Sequence, residues 1–165
     1  MSESCIVNLQ PQHFKRFEGL LIACDTKGGE NLEKELLFEG KETASSVNLK
    51  EFSLEGAKID INLAGKISGR LNGTIMTTHN ITMKQDGTSQ VDLRSLIFSG
   101  GEPVFVMGNA LGKIVAPSPM REIEENLTFQ TPSQRLSYLN TTKGWSKGFF
   151  NPETGEYSFK VYTVK

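Results

Sequence analysis

From residue 58 to residue 107 the chain alternates apolar and polar side chains with period two, and glycine interrupts the alternation at short intervals. Ile59, Ile61 and Leu63 alternate with Asp60, Asn62 and Ala64, and Ile67, Gly69, Leu71, Gly73 and Ile75 alternate with Ser68, Arg70, Asn72, Thr74 and Met76. Successive side chains of a strand point to opposite faces, so this rhythm predicts strands with one face buried. Gly65, Gly69 and Gly73 recur on one face, where missing side chains permit the coiling that closes a sheet into a barrel. The same spacing on a helix would be a small-residue packing stripe, but Lys66, Arg70 and Asn72 break any long apolar helix.

Turn chemistry separates the remaining strands. Gln85-Asp86-Gly87-Thr88 carries the Asp-Gly signal of a hairpin, because both residues tolerate positive φ. Gly100-Gly101-Glu102-Pro103 and Asn151-Pro152-Glu153-Thr154-Gly155 read the same way. Thr131-Pro132-Ser133 predicts a helix start, with Pro132 at the first helical position, Leu136 and Leu139 on one side, and an end near Asn140. Residues 17–24 read as a strand, whereas residues 31–37 fit a helix by composition and an edge strand by position. Residues 116–119 mark a surface loop. No composition shift divides the chain, so residues 1–165 are read as one domain, mainly β, an antiparallel barrel with one short helix.

Charge excludes several partners. Eighteen Lys and Arg stand against nineteen Asp and Glu, for a net charge of −1, so the field that draws a protein onto nucleic acid is missing. No apolar run approaches the roughly 18 residues that cross a bilayer, and residues 1–17 lack the pattern of a secretory signal. A cytoplasmic setting with no membrane partner is expected, with Cys5 and Cys24 as buried free thiols and the Asn-x-Ser/Thr matches at Asn72, Asn80, Asn126 and Asn140 as chance. Phosphate-binding loops, dinucleotide fingerprints, nucleophile elbows and Cys-x-x-Cys pairs are absent. His13 and His79 are the only histidines, too few for a three-histidine metal site, and no metal or cofactor is expected.

The candidate site starts from Val91-Asp92-Leu93-Arg94-Ser95-Leu96-Ile97-Phe98, where one face carries Asp92, Arg94, Leu96 and Phe98. In a dry core two charges cost several kcal/mol per ion unless paired, and beside open solvent Leu96 and Phe98 would be exposed. A cavity open at one end relieves both, with the charged half at the mouth; a buried ion pair between strands is the alternative. His79 and Asn80 point to opposite faces, so only one looks inward. His79 is a hydrogen-bonded rim residue or a general acid or base, and Asn80 orients a ligand or stitches a turn. Tyr138 and Asn140 pack and cap the short helix or contribute polar groups to the mouth. Trp145, Phe149 and Phe150 are read as core.

The segment GKISGRLNGTIMTTHNITMKQDGTSQVDLRSLIFSGGEPVFVMG resembles the central block of the microbial family catalogued as domain of unknown function 3237, with its glycine-rich strand, Asp-Gly hairpin and Asp-x-Arg strand. FQTPSQRLSYLN and KVYTV resemble that family's closing portion. The resemblance implies a closed or nearly closed barrel of the lipocalin or allene-oxide-cyclase style with a pocket, and Asp92, Arg94, Leu139 and Asn140 match its pattern. The chain departs from it at Asn80, where the family tends to aspartate, at Gly100-Gly101 and at Tyr138; an amide at Asn80 cannot take up a proton as a carboxylate does. Three functions follow as expectations. The first is a barrel binding a small, partly apolar molecule whose anionic or carbonyl group faces Arg94. The second is an isomerase, cyclase or lyase in which Asp92 or His79 moves a proton in the same pocket. The third is a subunit of a homo-oligomer joined through an exposed barrel edge.

Overall fold

The computed structural model describes residues 34–115 and 118–164, and readings that fall on Cys5, His13, Cys24 and residues 17–24 lie outside them. Among the described residues eight antiparallel strands run up and down in chain order: β1 Lys34–Ser53, β2 Gly56–Gly69, β3 Gly73–Lys84, β4 Ser89–Ser99, β5 Glu102–Ile114, β6 Arg121–Gln130, β7 Lys143–Asn151 and β8 Glu156–Val164. Each pairs with its neighbour and β8 pairs back onto β1, which closes the barrel. The expected fold is therefore present, with full closure.

Local chemistry places the turns. Asp86 accepts from the Thr88 amide at 2.9 Å, and Gly87, at φ +80°, completes the β3–β4 hairpin. Residues 67–75, one continuous alternation in the sequence, divide into two strands: β2 ends at Gly69 and β3 begins at Gly73. Gly65 and Gly73 are required by close approach. A Cβ on Gly65 would sit 1.9 Å from the Lys41 carbonyl oxygen, and one on Gly73 1.9 Å from that of Phe98. Lys34 to Leu37, open between helix and strand in the sequence, belong to β1.

The predicted helix is shorter and later than expected. A 3-10 helix covers Ser137–Thr141, while Thr131 stays outside it and bonds the Pro103 carbonyl through its hydroxyl at 2.6 Å. The Thr131 hydroxyl also accepts from the Ser133 amide at 3.1 Å, but no helix runs through residues 132–136, so that contact closes a turn and does not cap a helix. Leu136 and Leu139 nevertheless lie on one side as expected; both are buried, and they plug the end of the barrel where β6 passes to β7.

Inward side chains form layers along the axis. At the plugged end lie Leu37, Phe38, Leu71, Ile97, Val104, Phe129 and Leu139. At the other end, where β1 turns into β2, Ala110, Val91 and Ile123 are buried, but Ile59, Ile81 and Phe150 are only partly covered. Outside, Lys41, Asp92, Arg94, Glu124 and Lys160 alternate with these inward positions.

Candidate functional site

The middle of the barrel is polar. Glu42 from β1, Thr77 and His79 from β3, Ser95 from β4, Glu125 from β6, Ser146 from β7 and Tyr157 from β8 are all buried. Each shares strand parity with apolar inward neighbours, so the alternation that fills the core also carries these groups into it. The Tyr157 hydroxyl donates to Glu125 Oε1 at 3.1 Å, and Thr77 and Ser95 hydroxyls bond each other at 2.8 Å. His79 Nε2 lies 3.7 Å from Glu125 Oε1, and its ring meets that of Tyr157 edge-on at 5.7 Å. Glu42 Oε1 and Ser146 Oγ have no hydrogen-bond partner. A cavity of about 20 Å³ lies among Glu42, Thr77, His79, Ser95, Glu125 and Tyr157, room for about one water molecule.

Desolvation sets the protonation states. Burial raises the Glu42 carboxyl from 4.5 to about 7, with the charge of Glu125 adding and Thr77 offsetting part. Burial raises Glu125 to about 7 as well, against smaller opposing effects of Ser146 and Tyr157. It lowers His79 from 6.5 to about 4 and pushes the Tyr157 hydroxyl well above its usual range, where neighbouring Glu125 reinforces it. At neutral pH the imidazole is therefore uncharged, so its approach to Glu125 is not an ion pair. Two carboxyls poised near 7 beside a neutral imidazole and a protonated phenol can give and take protons in the physiological range.

The sequence-based site is only partly assembled. His79 points inward, as one member of the His79/Asn80 pair had to, and joins the cluster; Asn80 points outward and donates to Asp60 Oδ1 at 2.9 Å. The placement of Asp92 and Arg94 inside a pocket is overturned. Both are exposed on the outer face of β4, and Val91, Leu93, Ser95 and Ile97 fill the inside instead. Period-two alternation fixes which residues share a face but not which face is buried, and here the mixed face turned outward. Leu96 and Phe98 go with it, Phe98 remaining 39% exposed. Arg94 therefore does not face the barrel interior.

Tyr138 and Asn140 stand at the plugged end, away from the cluster. The Arg70 guanidinium lies 5.4 Å from the Tyr138 ring centre. Asn140 accepts from the Thr131 amide at 2.7 Å and donates to the Thr131 carbonyl at 3.1 Å, so it clamps the β6–β7 connection rather than facing a mouth. Trp145 and Phe149 are outward too, and only Phe150 packs against the core, which corrects two of three aromatic positions. Outside the barrel, Asn80 and Asp92 line a groove of about 520 Å³ together with Asn109, Asn126 and Trp145.

Sequence reasoning missed Glu42, Glu125, Ser146 and Tyr157. The signal was available. In Arg121–Gln130, Glu125 has the parity of Ile123, Leu127 and Phe129, and in β1 Glu42 has the parity of Phe38 and Ala44. A lone carboxylate on an otherwise apolar face is the mark of a buried titratable group.

These features define an eight-stranded antiparallel barrel with a polar, buried centre. No family model matches the sequence. No curated protein matches it either. Solved structures do. A protein of unknown function from Clostridium acetobutylicum superposes with a TM-score of 0.73 at 17% identity, over 84% of this chain and 100% of that one. A β-barrel-like protein from Acinetobacter baumannii gives 0.70 at 18% identity, over 85% and 100%. An enzyme from Penicillium herquei gives 0.64 at 21% identity, over 85% and 99%. At such identities the likeness establishes the barrel fold and nothing of its chemistry.

Proposed function

We propose that the barrel binds a small, partly apolar and uncharged molecule at its centre, gripping a carbonyl or hydroxyl through Glu42, His79, Glu125 and Tyr157. The observation that carries this reading is Glu42 Oε1, buried on the cavity wall without a hydrogen-bond partner. Buried polar atoms are nearly always paired, so an orphan beside a void is an unmet demand that a ligand atom supplies. An anion is disfavoured, because two carboxyls and, among the described residues, no buried cation surround the void. Entry falls at the β1–β2 end, where Ile59, Ile81 and Phe150 are only partly covered, while Leu71 and Leu139 seal the other. A ligand larger than water displaces that looser layer.

A second reading, an isomerase, cyclase or lyase, draws on the same groups. Its support is that Glu42 and Glu125 are held at about 7, with the protonated Tyr157 hydroxyl beside Glu125. In such a step a carboxylate removes the proton α to a carbonyl while a neighbouring hydroxyl or carboxyl donates a hydrogen bond to the developing enolate oxygen. The Penicillium herquei neighbour is described as an enzyme, which favours the same direction by analogy only. Kinship with domain of unknown function 3237 is part of this proposal, supported by the Asp92-x-Arg94 strand, the Leu139-Asn140 pair and the barrel itself.

Cyclohexanone and cyclohexanecarboxylate serve as neutral and anionic probes. On titration, the neutral probe is expected to shift the His79 ring resonances and the carboxylate to leave them in place; shifts from the carboxylate alone, or from neither, overturn the binding reading. The catalytic reading adds faster exchange of the ketone's α-hydrogens in D2O, abolished by Glu125→Gln. Exchange no faster than in buffer removes it while leaving binding intact.

A further inference from the structure

β1 is longer than the barrel needs. Residues 34–43 pair with β8 and, from Phe38 onward, with β2 on the other side, and the Ala44 amide makes the last contact on the β8 side, to the Gly155 carbonyl at 2.8 Å. Residues 45–53 continue to pair with β2, but among the described residues nothing pairs with their other edge. The barrel is closed, so the expectation of a barrel edge fails for the barrel proper and survives only on this overhang of nine residues.

The overhang is also apolar on one face. Val47 and Leu49 stand opposite Ile61 and Ile59, and Phe52 opposite Ala57, so all three share the face that is inward lower down the hairpin. They are 60%, 63% and 80% exposed, and Leu54 at the turn is 88% exposed. An unpaired edge beside exposed apolar side chains is a template for adding a strand. Two bulges and the charges of Lys50 and Glu51 are the devices that usually discourage such pairing, yet both charges are already engaged across the hairpin, Lys50 with Asp60 at 2.9 Å and Glu51 with Lys58 at 2.8 Å.

We propose that residues 45–53 are the docking strand for a second copy of this chain, which adds edge to edge in antiparallel register about a two-fold axis between Lys50 and Glu51. The edge complements itself in that register. Lys50 falls opposite the partner's Glu51, and Leu49 opposite the partner's Phe52, on the same face. Isologous pairing satisfies both unpaired edges at once and leaves none for a third chain, so the assembly stops at two. The inference rests on the strand pairing and is independent of what the lumen holds.

Light scattering on the full-length chain after gel filtration tests it. Wild type is expected at twice the 18.2 kDa chain mass and to fall to 18.2 kDa on dilution. The double variant Val47→Lys, Leu49→Lys is expected at the single-chain mass throughout, with unchanged circular dichroism, while Met76→Lys on the outer wall leaves the dimer intact. Hydrogen exchange at residues 45–53 is expected to quicken as wild type is diluted. A monomer at every concentration, a dimer that survives the double variant, or edge amides protected to the same degree in the monomer, which would mean that the chain's own remaining residues cover the edge, overturns the proposal.

Discussion

The inner and outer faces of the β3–β4 pair carry almost the same kinds of residue and live in opposite physical worlds. Inside are Thr77, His79, Leu93, Ser95 and Ile97; outside are Asn80, Asp92, Arg94, Leu96 and Phe98. Each face mixes polar with apolar groups. Outside, water screens Asp92 and Arg94, two residues apart on the strand, and neither makes a hydrogen bond or ion pair among the described residues. Inside, the same sort of mixture is desolvated, so protonation shifts by units and an unpaired oxygen becomes a demand. Burial, and not residue type, converts a polar strand face into a site.

The sharpest break in that comparison is a truncation on each face. Leu93→Ala, inward and buried, is expected to destabilise by about 2–5 kcal/mol in urea unfolding, because it empties packed volume. Leu96→Ala, on the outer face, is expected to stay below about 1 kcal/mol. Equal costs would mean that the outer face is covered in solution.

Next in size is the pH dependence of stability. Glu42 and Glu125, raised from 4.5 to about 7, keep protons in the folded state that the unfolded chain releases. Their contributions are full below pH 4.5 and are lost as pH rises through about 7. His79, lowered from 6.5 to about 4, works the other way: its contribution is full above 6.5 and is lost as pH falls through about 4. From 4.5 to 6.5 two carboxyls oppose one histidine, so about one proton's worth of stability is lost with rising pH, on the order of 3 kcal/mol. Below 4.5 the lowered carboxyls of Asp60, Asp86 and Glu102 add to the loss from His79. Stability measured by denaturant unfolding should peak in mild acid, near pH 4.5–5; a maximum at pH 7 or above would mean that the cluster is hydrated.

The smallest contrast concerns single polar groups. Tyr157→Phe removes the donor to Glu125 and is expected to cost about 1–3 kcal/mol and to raise the Glu125 carboxyl further, readable by 13C NMR of the labelled carboxyl. Arg94→Ala, exposed, is expected to change stability by no more than about 0.5 kcal/mol and to leave the neutral probe's binding unaltered. A lost affinity in Arg94→Ala would return the outer face of β4 to consideration.

Much of the architecture is written locally. The Asp86-Gly87 and residue 151–155 turns, the period-two strands and the shared side of Leu136 and Leu139 follow from neighbours in sequence, because turn geometry and strand parity are short-range properties. The break between β2 and β3 inside one unbroken alternation was not legible, since Arg70 to Asn72 keep the rhythm while the backbone turns. His79 was readable as one of a pair of which only one looks inward. Glu42 and Glu125 were readable by parity yet lie 83 positions apart, and nothing local says that they share a cavity.

The sequence by itself determined β2 to β5, β7 and β8, the turns between most of them, and which side chains travel together on each face, because parity is a property of a single extended chain. Only closure of the barrel decided which of those faces met water. Once β8 joined β1, one set of side chains lost its solvent, and with that loss Glu42, His79, Glu125 and Tyr157 acquired both their proximity and their altered proton affinities.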